Sequence, residues 1–182
     1  MRLHLLRHLA PLIAPGVCYG RSDLAVDPVA QAQLAPTLRA LLPAGAPVYS
    51  SPLQRCALLA ASLAGANVHL DARLAELDFG SWELRPWVDI ARAEIDAWAL
   101  DTAHYQPGGG ESVAAMALRV AAFYDDLRAA AVDEAVIVCH AGTMRLLSAR
   151  ARGLDSDSMA QEAASRPHAI GYGEMIVLDC YN

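Results

Sequence analysis

The sequence contains no lysine, so its 14 basic side chains other than histidine are all arginines. Against them stand 20 acidic residues, which leave a formal net charge of −6. An acidic balance argues against a protein that binds nucleic acid or an anionic membrane surface. Any anion that this protein binds must therefore be held by a local group of arginine and histidine side chains.

Cysteine is also scarce, and long apolar runs are missing. The four cysteines are scattered, and no pair has the spacing of a metal site or a redox motif. We therefore expect a reducing compartment and neither a metal nor another cofactor. No run is apolar enough to span a bilayer, and His4, Arg7 and His8 interrupt the apolar N-terminus, which is untypical of a secretory signal. These features predict a cytoplasmic protein with no membrane partner.

The pattern of apolar residues predicts an α/β fold. A length of 182 residues with 55% hydrophobic side chains suits one domain over residues 1–182. Short apolar runs predict strands, and helical spacing fills the segments between them. The alternation indicates a three-layer α/β/α sandwich with a mostly parallel sheet. The predicted strands are 3–6, 48–49, 136–139 and 173–180, and two of the predicted helices are 87–98 and 113–127.

Two other helices carry recognisable start signals. Ser51 is the predicted N-cap of a helix that runs to about Gly65, with Gln54 completing a capping box. Asp27 precedes a proline and a helical pattern, so it predicts a second start. Pro36 lies inside that second pattern and predicts a kink or a break there.

Cationic side chains follow three of the predicted strands. Arg7 and His8 end the first strand, Arg55 lies in the first turn of the helix after the second, and His140 ends strand 136–139. Ligands of parallel sheets bind at the carboxyl ends of the strands. Gly142 opens the next helix, whose N-terminus adds N–H donors and a favourable dipole. We therefore expect an oxyanion pocket at this edge, with phosphate as the natural oxyanion.

Four motifs in this order resemble the histidine phosphatase superfamily, which has the phosphoglycerate-mutase-like fold. They are RHL at 7–9, SPLQR at 51–55, ELDFGSWE at 76–83 and HAG at 140–142. The stretches GVCYGRSDL at 16–24 and FGSWE at 79–83 resemble the phosphatase branch that includes the α-ribazole phosphatases, rather than the mutases.

The resemblance implies a role for each motif residue. His8 would be the nucleophile that forms a phosphohistidine, and His140 would be protonated or would donate to a phosphate oxygen. Glu76 would be the general acid and then the base, with Asp78 and Glu83 as nearby alternatives. Two arginine forks can supply the charge that a metal supplies elsewhere. The residues that we expect to contact substrate are Arg7, Arg55, His140, Ala141, Tyr19 and Arg21.

The sequence departs from the family pattern at two positions. Leu9 replaces the glycine of the first signature, and Ala14 stands where the family often has a polar residue that touches phosphate. These changes predict fewer neutral donors around the phosphate. Glu111 and Ser112 either line the mouth of the pocket or belong to a helix start, with Ser112 as the N-cap.

The predicted function is that of a metal-independent phosphomonoesterase acting on small phosphorylated metabolites. The alternatives are a phosphoglycerate mutase and a non-catalytic protein that binds a phosphorylated ligand. A short, weakly basic segment at 82–110 argues against a mutase, and the retained histidines and arginines argue against a non-catalytic protein. A second anionic group would find at most Arg21, Arg85 or Arg92, whereas a neutral group could stack on Trp82 or Tyr19. That reasoning favours α-ribazole 5′-phosphate as a substrate.

Overall fold

The protein is known from a computed structural model that describes residues 1–65, 67–165 and 168–180. Within these ranges it forms one five-stranded sheet in the order β3-β2-β4-β1-β5. The sheet is parallel except for β5, which pairs antiparallel with β1. The strands are β1 (Arg2–Arg7), β2 (Val48–Ser50), β3 (Val68–Leu70), β4 (Glu134–Cys139) and β5 (Met175–Asp179).

Helices cover both faces of this sheet, so the predicted α/β/α sandwich is confirmed. Two helices pack with one buried cluster and three with another, on opposite faces. The first group is α1 (Pro28–Leu41) and α2 (Gln54–Ala64); the second is α4 (Val113–Ala129), α5 (Ala141–Ala151) and α6 (Ser156–Ser165). A further helix, α3 (Arg92–Leu100), lies in the connection between β3 and α4.

Alternating side chains in the central strands build these two cores. In β1, Leu5 belongs to the cluster under α4, α5 and α6, while Leu6 belongs to the cluster under α1 and α2. In β4, Ile137 and Val138 divide in the same way. Successive side chains of a strand point to opposite faces, so a strand covered on both sides must be apolar throughout. This explains why both strands were visible in the sequence as continuous apolar runs.

Strand β3 was not predicted. It has only three residues, lies at the edge of the sheet, and exposes His69 and Leu70 to solvent. An edge strand of this length has no buried apolar run and no clear alternation in the sequence. It is recognised as a strand through its pairing with β2. The predicted last strand is confirmed as β5, at the opposite edge.

The predicted capping box of α2 is wrong. The helix begins at Gln54, with Leu53 at the N-cap position and no side-chain cap there. The backbone N–H of Gln54 donates to Asp23 Oδ1 at 2.7 Å, so a residue from a distant loop caps the helix. The end of the helix at Gly65 is as predicted.

The single helix predicted over residues 87–98 is interrupted. A 3₁₀ turn at Trp87–Asp89 is followed by Ile90 in an extended conformation, and α3 begins at Arg92. Ile90 is buried together with Trp82 and Cys18 in a third cluster. Packing of this connection against its own loops therefore overrides its helical spacing.

Helix α1 starts as predicted but does not break at Pro36. Asp27 caps it by accepting the N–H of Val29 at 2.8 Å, and the helix continues to Leu41. Ala35 and Leu38, on either side of the exposed proline, are buried in the core under this face. Their burial holds the helix together across the missing hydrogen bond.

Among the described helices, none is long and apolar enough to cross a membrane.

Replacing this proline should stabilise the protein. Pro36→Ala restores an N–H that can donate to the carbonyl of Ala32, and it removes the ring from the preceding turn. We expect the free energy of unfolding to rise by about 1–3 kcal/mol in urea denaturation. Thr37→Ala at the neighbouring exposed position is the control and should gain at most about 0.7 kcal/mol. An equal gain in both variants would contradict this account.

Candidate active site

The parallel pairing of β1, β4 and β2 brings their carboxyl ends together. Arg7 pairs with Cys139 and Ser50 with Val138. The next residues continue the pattern, since the N–H of His8 donates to the carbonyl of Cys139 at 3.1 Å. Arg7, His8, Arg55 and His140 therefore meet at the carboxyl ends of the parallel strands, as expected from their places in the sequence.

The His8 imidazole is held in one tautomer. Its Nδ1 lies 2.5 Å from the carbonyl oxygen of Leu9, which can only accept, so Nδ1 carries the proton and Nε2 has the free lone pair. Burial lowers the pKa of His8 to about 3, with the charges of Arg55 and Arg7 adding to this against the Leu9 hydrogen bond. His8 is therefore neutral at pH 7, with Nε2 available as a nucleophile.

The Leu9 departure from the family pattern leaves this contact intact. The contact uses the backbone carbonyl of residue 9, which is independent of the side chain, and the leucine side chain packs into the core. Ala14 is exposed and is not among the described residues that line the pocket. Neither substitution removes a donor that the structure places at the site.

Two buried arginines flank His8. The Arg55 side chain is fully buried and donates from Nη1 to the Ser22 carbonyl at 2.7 Å and from Nη2 to the Gly20 carbonyl. Arg7 is 9% exposed, donates to a backbone carbonyl, and lies with Cζ 3.8 Å from the centre of the Tyr172 ring. In both arginines, Nε is buried and has no hydrogen-bond partner among the described residues. A buried cation with an unsatisfied donor favours an anionic ligand.

His140 lies directly behind His8. The two ring centres are 5.0 Å apart, and His140 Nε2 is 2.8 Å from Ser51 Oγ. Burial lowers the pKa of His140 well below its usual value, and the positive charges of Arg55, Arg119 and Arg7 add to the effect. The protonated form predicted for His140 is therefore disfavoured in this structure, although a neutral ring still donates through one nitrogen.

Glu76 faces the pocket from the loop after β3. Its Oε2 accepts the N–H of Gly142 at 3.1 Å, and its Oε1 accepts the N–H of Leu77 at 3.0 Å. A Cβ at position 142 would lie only 2.3 Å from Oε1, so glycine is needed for this close approach. The N-terminus of α5, which was expected to bind phosphate, thus also orients the carboxylate of Glu76.

Arg119 was missed by the sequence reasoning and fixes the backbone around Glu76. From α4, its Nη1 donates to the Ala75 carbonyl at 2.7 Å and its Nη2 to the Glu76 carbonyl at 3.2 Å. Glu111 pairs with the same guanidinium at 2.7 Å, while Ser112 caps α4 by accepting the N–H of Ala115. Glu111 and Ser112 therefore belong to the start of α4, and neither is among the described residues that line the pocket.

The alternative carboxylates to Glu76 have other partners. Glu83 accepts hydrogen bonds from the backbone of Gly20, Arg21, Ser22 and Phe79, and from the Ser22 hydroxyl. Asp78 accepts the N–H of Gly80 and lies 3.8 Å from Arg21. Neither carboxylate, nor Arg21, is among the described residues that line the pocket. Glu76 is therefore the carboxylate best placed for proton transfer.

A pocket of about 670 Å³ opens above His8 and is bounded by aromatic side chains. Trp87 and Trp98 line it and stack with ring centres 5.9 Å apart, and Tyr19 lines it with its hydroxyl 2.6 Å from that of Tyr172. Trp82, predicted as a stacking surface, is instead fully buried and donates to Glu94. The sequence alone could not show which tryptophans line the pocket and which are buried, because their burial depends on how the third cluster packs.

The pocket also contains a cationic side chain that the sequence reasoning overlooked. Arg145 on α5 and His168 line it together with the residues around His8. The expectation that a second anion would find at most Arg21, Arg85 or Arg92 is therefore wrong, since none of these three is among its described lining residues. The missed signal was helical spacing: Arg145 stands one turn after Ala141, and helical side chains lean toward the N-terminus.

Comparison with known proteins places this geometry in a family. The model of the histidine phosphatase superfamily (branch 1) matches residues 3–170. A Hydrogenobacter thermophilus protein named "Putative phosphoserine phosphatase 2" is 26% identical over 166 residues, 87% of this chain and 82% of that protein. The α-ribazole phosphatase structure from Shigella flexneri has a TM-score of 0.80 at 28% identity, covering 98% of this chain and 90% of that one.

A mycobacterial glucosyl-3-phosphoglycerate phosphatase is also similar, with a TM-score of 0.77 at 25% identity over 97% of this chain and 88% of that one. The resemblance inferred from the four motifs and the expected fold are both confirmed by these matches. Within the described residues, no three histidine, cysteine or acidic side chains are grouped so that they could hold a metal ion.

The carboxylate of Glu83 should matter for stability. Burial disfavours its charged form, but the hydrogen bonds from Ser22, Phe79, Gly20 and Arg21 prevail and hold the pKa of Glu83 below its usual value. Glu83→Gln turns an amide donor toward these donors, so it should lower the free energy of unfolding by about 1–3 kcal/mol at pH 7.

The sign of the pH dependence follows from the lowered pKa. The stabilisation is present above the unfolded-state pKa, about 4.3, and is lost as the pH falls through the folded value. Urea denaturation should therefore show the difference from wild type shrinking as the pH falls below about 4.3. Asp89→Asn, at an exposed position, is the control and should change little; a pH-independent loss in Glu83→Gln would refute the assignment.

Proposed function

This chain belongs to the histidine phosphatase superfamily and is a phosphatase, and on that premise we propose that it hydrolyses small phosphomonoesters without a metal ion, through a phosphohistidine on His8. The observation that carries the proposal is the His8 ring itself. It is buried and neutral, its Nδ1 donates to the Leu9 carbonyl, and it lines the pocket together with Arg7 and Arg55, whose Nε–H groups have no hydrogen-bond partner among the described residues.

In the first step, His8 Nε2 attacks phosphorus and the bond to the ester oxygen breaks. Arg7 and Arg55, which line the pocket, donate to the phosphoryl oxygens. His140 is fully buried behind His8, is not among the described residues that line the pocket, and supports His8 as a neutral ring bonded to Ser51. Phosphoryl transfer depends mainly on positioning and on charge stabilisation, so two buried guanidinium groups can supply what a metal supplies elsewhere. Glu76 gives its proton to the departing alkoxide, which leaves as an alcohol.

In the second step, Glu76 takes a proton from a water molecule whose oxygen attacks the phosphohistidine. The nitrogen–phosphorus bond breaks, His8 Nε2 regains its lone pair, and inorganic phosphate leaves. Glu76 is again protonated, so the cycle closes. The N–H groups of Leu77 and Gly142 hold the carboxylate in place through both steps.

Hydrolysis is favoured over the two alternative functions. A mutase must exclude water while it moves a phosphoryl group, yet segment 82–110, which would have to close over the pocket, is short, and its basic residues Arg85 and Arg92 are not among the described residues around the pocket. A non-catalytic binding protein would not need a neutral His8 beside a carboxylate. Both features support a phosphatase that releases phosphate.

The choice of substrate is less constrained than the chemistry. α-Ribazole 5′-phosphate remains a candidate, because a relative is named as its phosphatase and the Trp87–Trp98 pair offers an aromatic surface for a planar base. Other relatives are named for phosphoserine and for a glucosyl phosphoglycerate. The earlier argument for a neutral leaving group is weakened, because Arg145 lines the pocket.

Phosphorylation of His8 is directly testable. Protein incubated with phosphoryl-labelled p-nitrophenyl phosphate in the presence of a chelator, then quenched in alkali, should carry label that is stable to base and released by acid. His8→Ala should carry none, since it lacks the Nε2 nucleophile. His104→Ala, which changes an exposed histidine, should label like wild type. Label retained in His8→Ala, or labelling abolished by the chelator, would refute the corresponding part of the proposal.

The role of Glu76 predicts a dependence on the leaving group. Glu76→Gln keeps the size of the side chain but removes the proton, so hydrolysis of an alkyl phosphate such as glycerol 3-phosphate should slow by about 10²–10⁴-fold. Hydrolysis of p-nitrophenyl phosphate should slow far less, because its phenolate leaves without protonation. Comparing kcat/KM for the two esters measures this, and Asp78→Asn is the control. Equal losses on both esters would exclude Glu76 as the general acid.

A further inference from the structure

Two tyrosine side chains are hydrogen-bonded to each other beside His8. Tyr19 lies in the loop between β1 and α1, and Tyr172 lies in the connection between α6 and β5. Their hydroxyl oxygens are 2.6 Å apart, and both side chains line the pocket together with His8. The centre of the Tyr172 ring is 5.7 Å from that of the His8 ring. The pair therefore joins two separate loops next to the proposed nucleophile.

Each of these tyrosines faces one of the two buried arginines. Cζ of Arg7 lies 3.8 Å from the centre of the Tyr172 ring, whereas Cζ of Arg55 lies 5.9 Å from that of Tyr19. A cation is attracted to an aromatic face within about 6 Å of its centre. The contact of Arg7 with Tyr172 is therefore close, and the contact of Arg55 with Tyr19 is at the limit of the range.

Two contacts restrain the guanidinium group of Arg7. Its Nη1 donates to the Ile170 carbonyl at 2.5 Å, and the Tyr172 ring lies against it. Its Nε is buried and has no hydrogen-bond partner among the described residues. The hydrogen bond holds one corner of the planar group and the ring restrains its tilt, so together they set the direction of the Nε–H bond. A planar fork binds phosphoryl oxygens only when it is aimed at them.

The backbone next to Tyr172 is held independently of the tyrosine side chain. The N–H of Gly173 donates to the carbonyls of Arg7 and His8, at 3.2 Å each, and the N–H of Arg7 donates to the Glu174 carbonyl at 3.0 Å. Tyr172 is 45% exposed, so its ring is not part of the core. A substitution at position 172 should therefore change what lies against Arg7 without unfolding the protein.

The hydroxyl of Tyr19 holds the Tyr172 ring in place. Burial and the hydrogen bond to Tyr172 raise the pKa of Tyr19 against the charges of Arg7 and Arg55, so Tyr19 is a neutral phenol near pH 7. A neutral hydroxyl can donate or accept, which suits it to a bond between two hydroxyl groups. An exposed side chain without such a partner changes rotamer within picoseconds to nanoseconds.

We propose that Tyr172 is a positioning residue for Arg7, and that the Tyr19 hydroxyl keeps the Tyr172 ring in position. The ring holds the guanidinium at the tilt in which its free Nε–H meets the phosphoryl group. The proposal rests on the proposed phosphatase activity, in which Arg7 donates to phosphoryl oxygens. It adds to that activity a residue that lies outside all four sequence motifs.

A double-mutant cycle tests the positioning role. Tyr172→Leu should lower kcat/KM for p-nitrophenyl phosphate by about 5- to 30-fold, which corresponds to a partly desolvated cation–π contact. Tyr172→Phe keeps the ring and should lose only about twofold, the lower end of what a hydrogen bond contributes. When Arg7→Lys is already present, Tyr172→Leu should cost at most about twofold, because an ammonium group has no plane to be held.

Tyr49→Leu is the matched control. It makes the same change at a partly buried tyrosine that packs against Phe123 and is not among the described residues that line the pocket. It should leave kcat/KM unchanged with either residue at position 7. Equal losses from Tyr172→Leu in both backgrounds, no loss in either, or a loss in Tyr172→Phe as large as that in Tyr172→Leu would overturn the proposal.

Two measurements without turnover separate this proposal from the proposed reaction. In NMR spectra, the Nε–H proton of Arg7, identified by its absence in Arg7→Lys, should be shifted upfield by the ring current of Tyr172. The shift should persist in Tyr172→Phe and disappear in Tyr172→Leu. Calorimetric titration with inorganic phosphate should show weaker binding in Tyr172→Leu than in wild type, and no such difference in the Arg7→Lys background.

The combined results assign any failure to one proposal or the other. Coupling between Tyr172 and Arg7 in phosphate binding, without any phosphohistidine in the wild type, would sustain the role of Tyr172 and refute the mechanism. A phosphohistidine on His8 without that coupling would do the reverse.

Discussion

The pairing of β1 with β4 is the constraint on which the site depends. In that register Arg7 lies opposite Cys139, so the residues that follow, His8 and His140, leave the sheet side by side. A slip of one residue would turn every side chain of β1 to the other face. The apolar alternation of Leu5 and Leu6 between two cores therefore fixes the site as firmly as it fixes the fold.

The arginines buried at the carboxyl ends of the strands are bonded to the surrounding loops. Arg55 is oriented by the carbonyls of Gly20 and Ser22, and that loop is itself held by the carboxylate of Glu83. A Cβ on Gly20 would lie 2.0 Å from the Leu77 carbonyl, so this loop also packs against the segment that carries Glu76. The cation, its loop and the neighbouring carboxylate thus form one packed unit.

Carboxylates that look alike in the sequence have different roles because their surroundings differ. Glu83 is saturated by backbone donors, Glu111 neutralises Arg119, and Glu76 faces the pocket with two N–H groups holding it. Arg119 in turn anchors the backbone of the Glu76 segment through its carbonyls. Proton transfer needs a carboxylate that can move a proton to a substrate oxygen, and the tertiary structure leaves that position to Glu76.

The sequence alone determined the sandwich, the central strands and the grouping of Arg7, His8, Arg55 and His140, because these follow from apolar periodicity and from what stands at the ends of parallel strands. Only the tertiary structure decided the edge strand β3, the cap from Asp23 and the course of residues 87–98, because each depends on contacts with distant segments. The same holds at the site: Arg145 reaches the pocket from α5, and His168 and Tyr172 reach it from the connection between α6 and β5, and no local pattern encodes how these segments are placed. Strand ends are local features of a sequence, whereas the walls of a pocket exist only once separate elements have packed together.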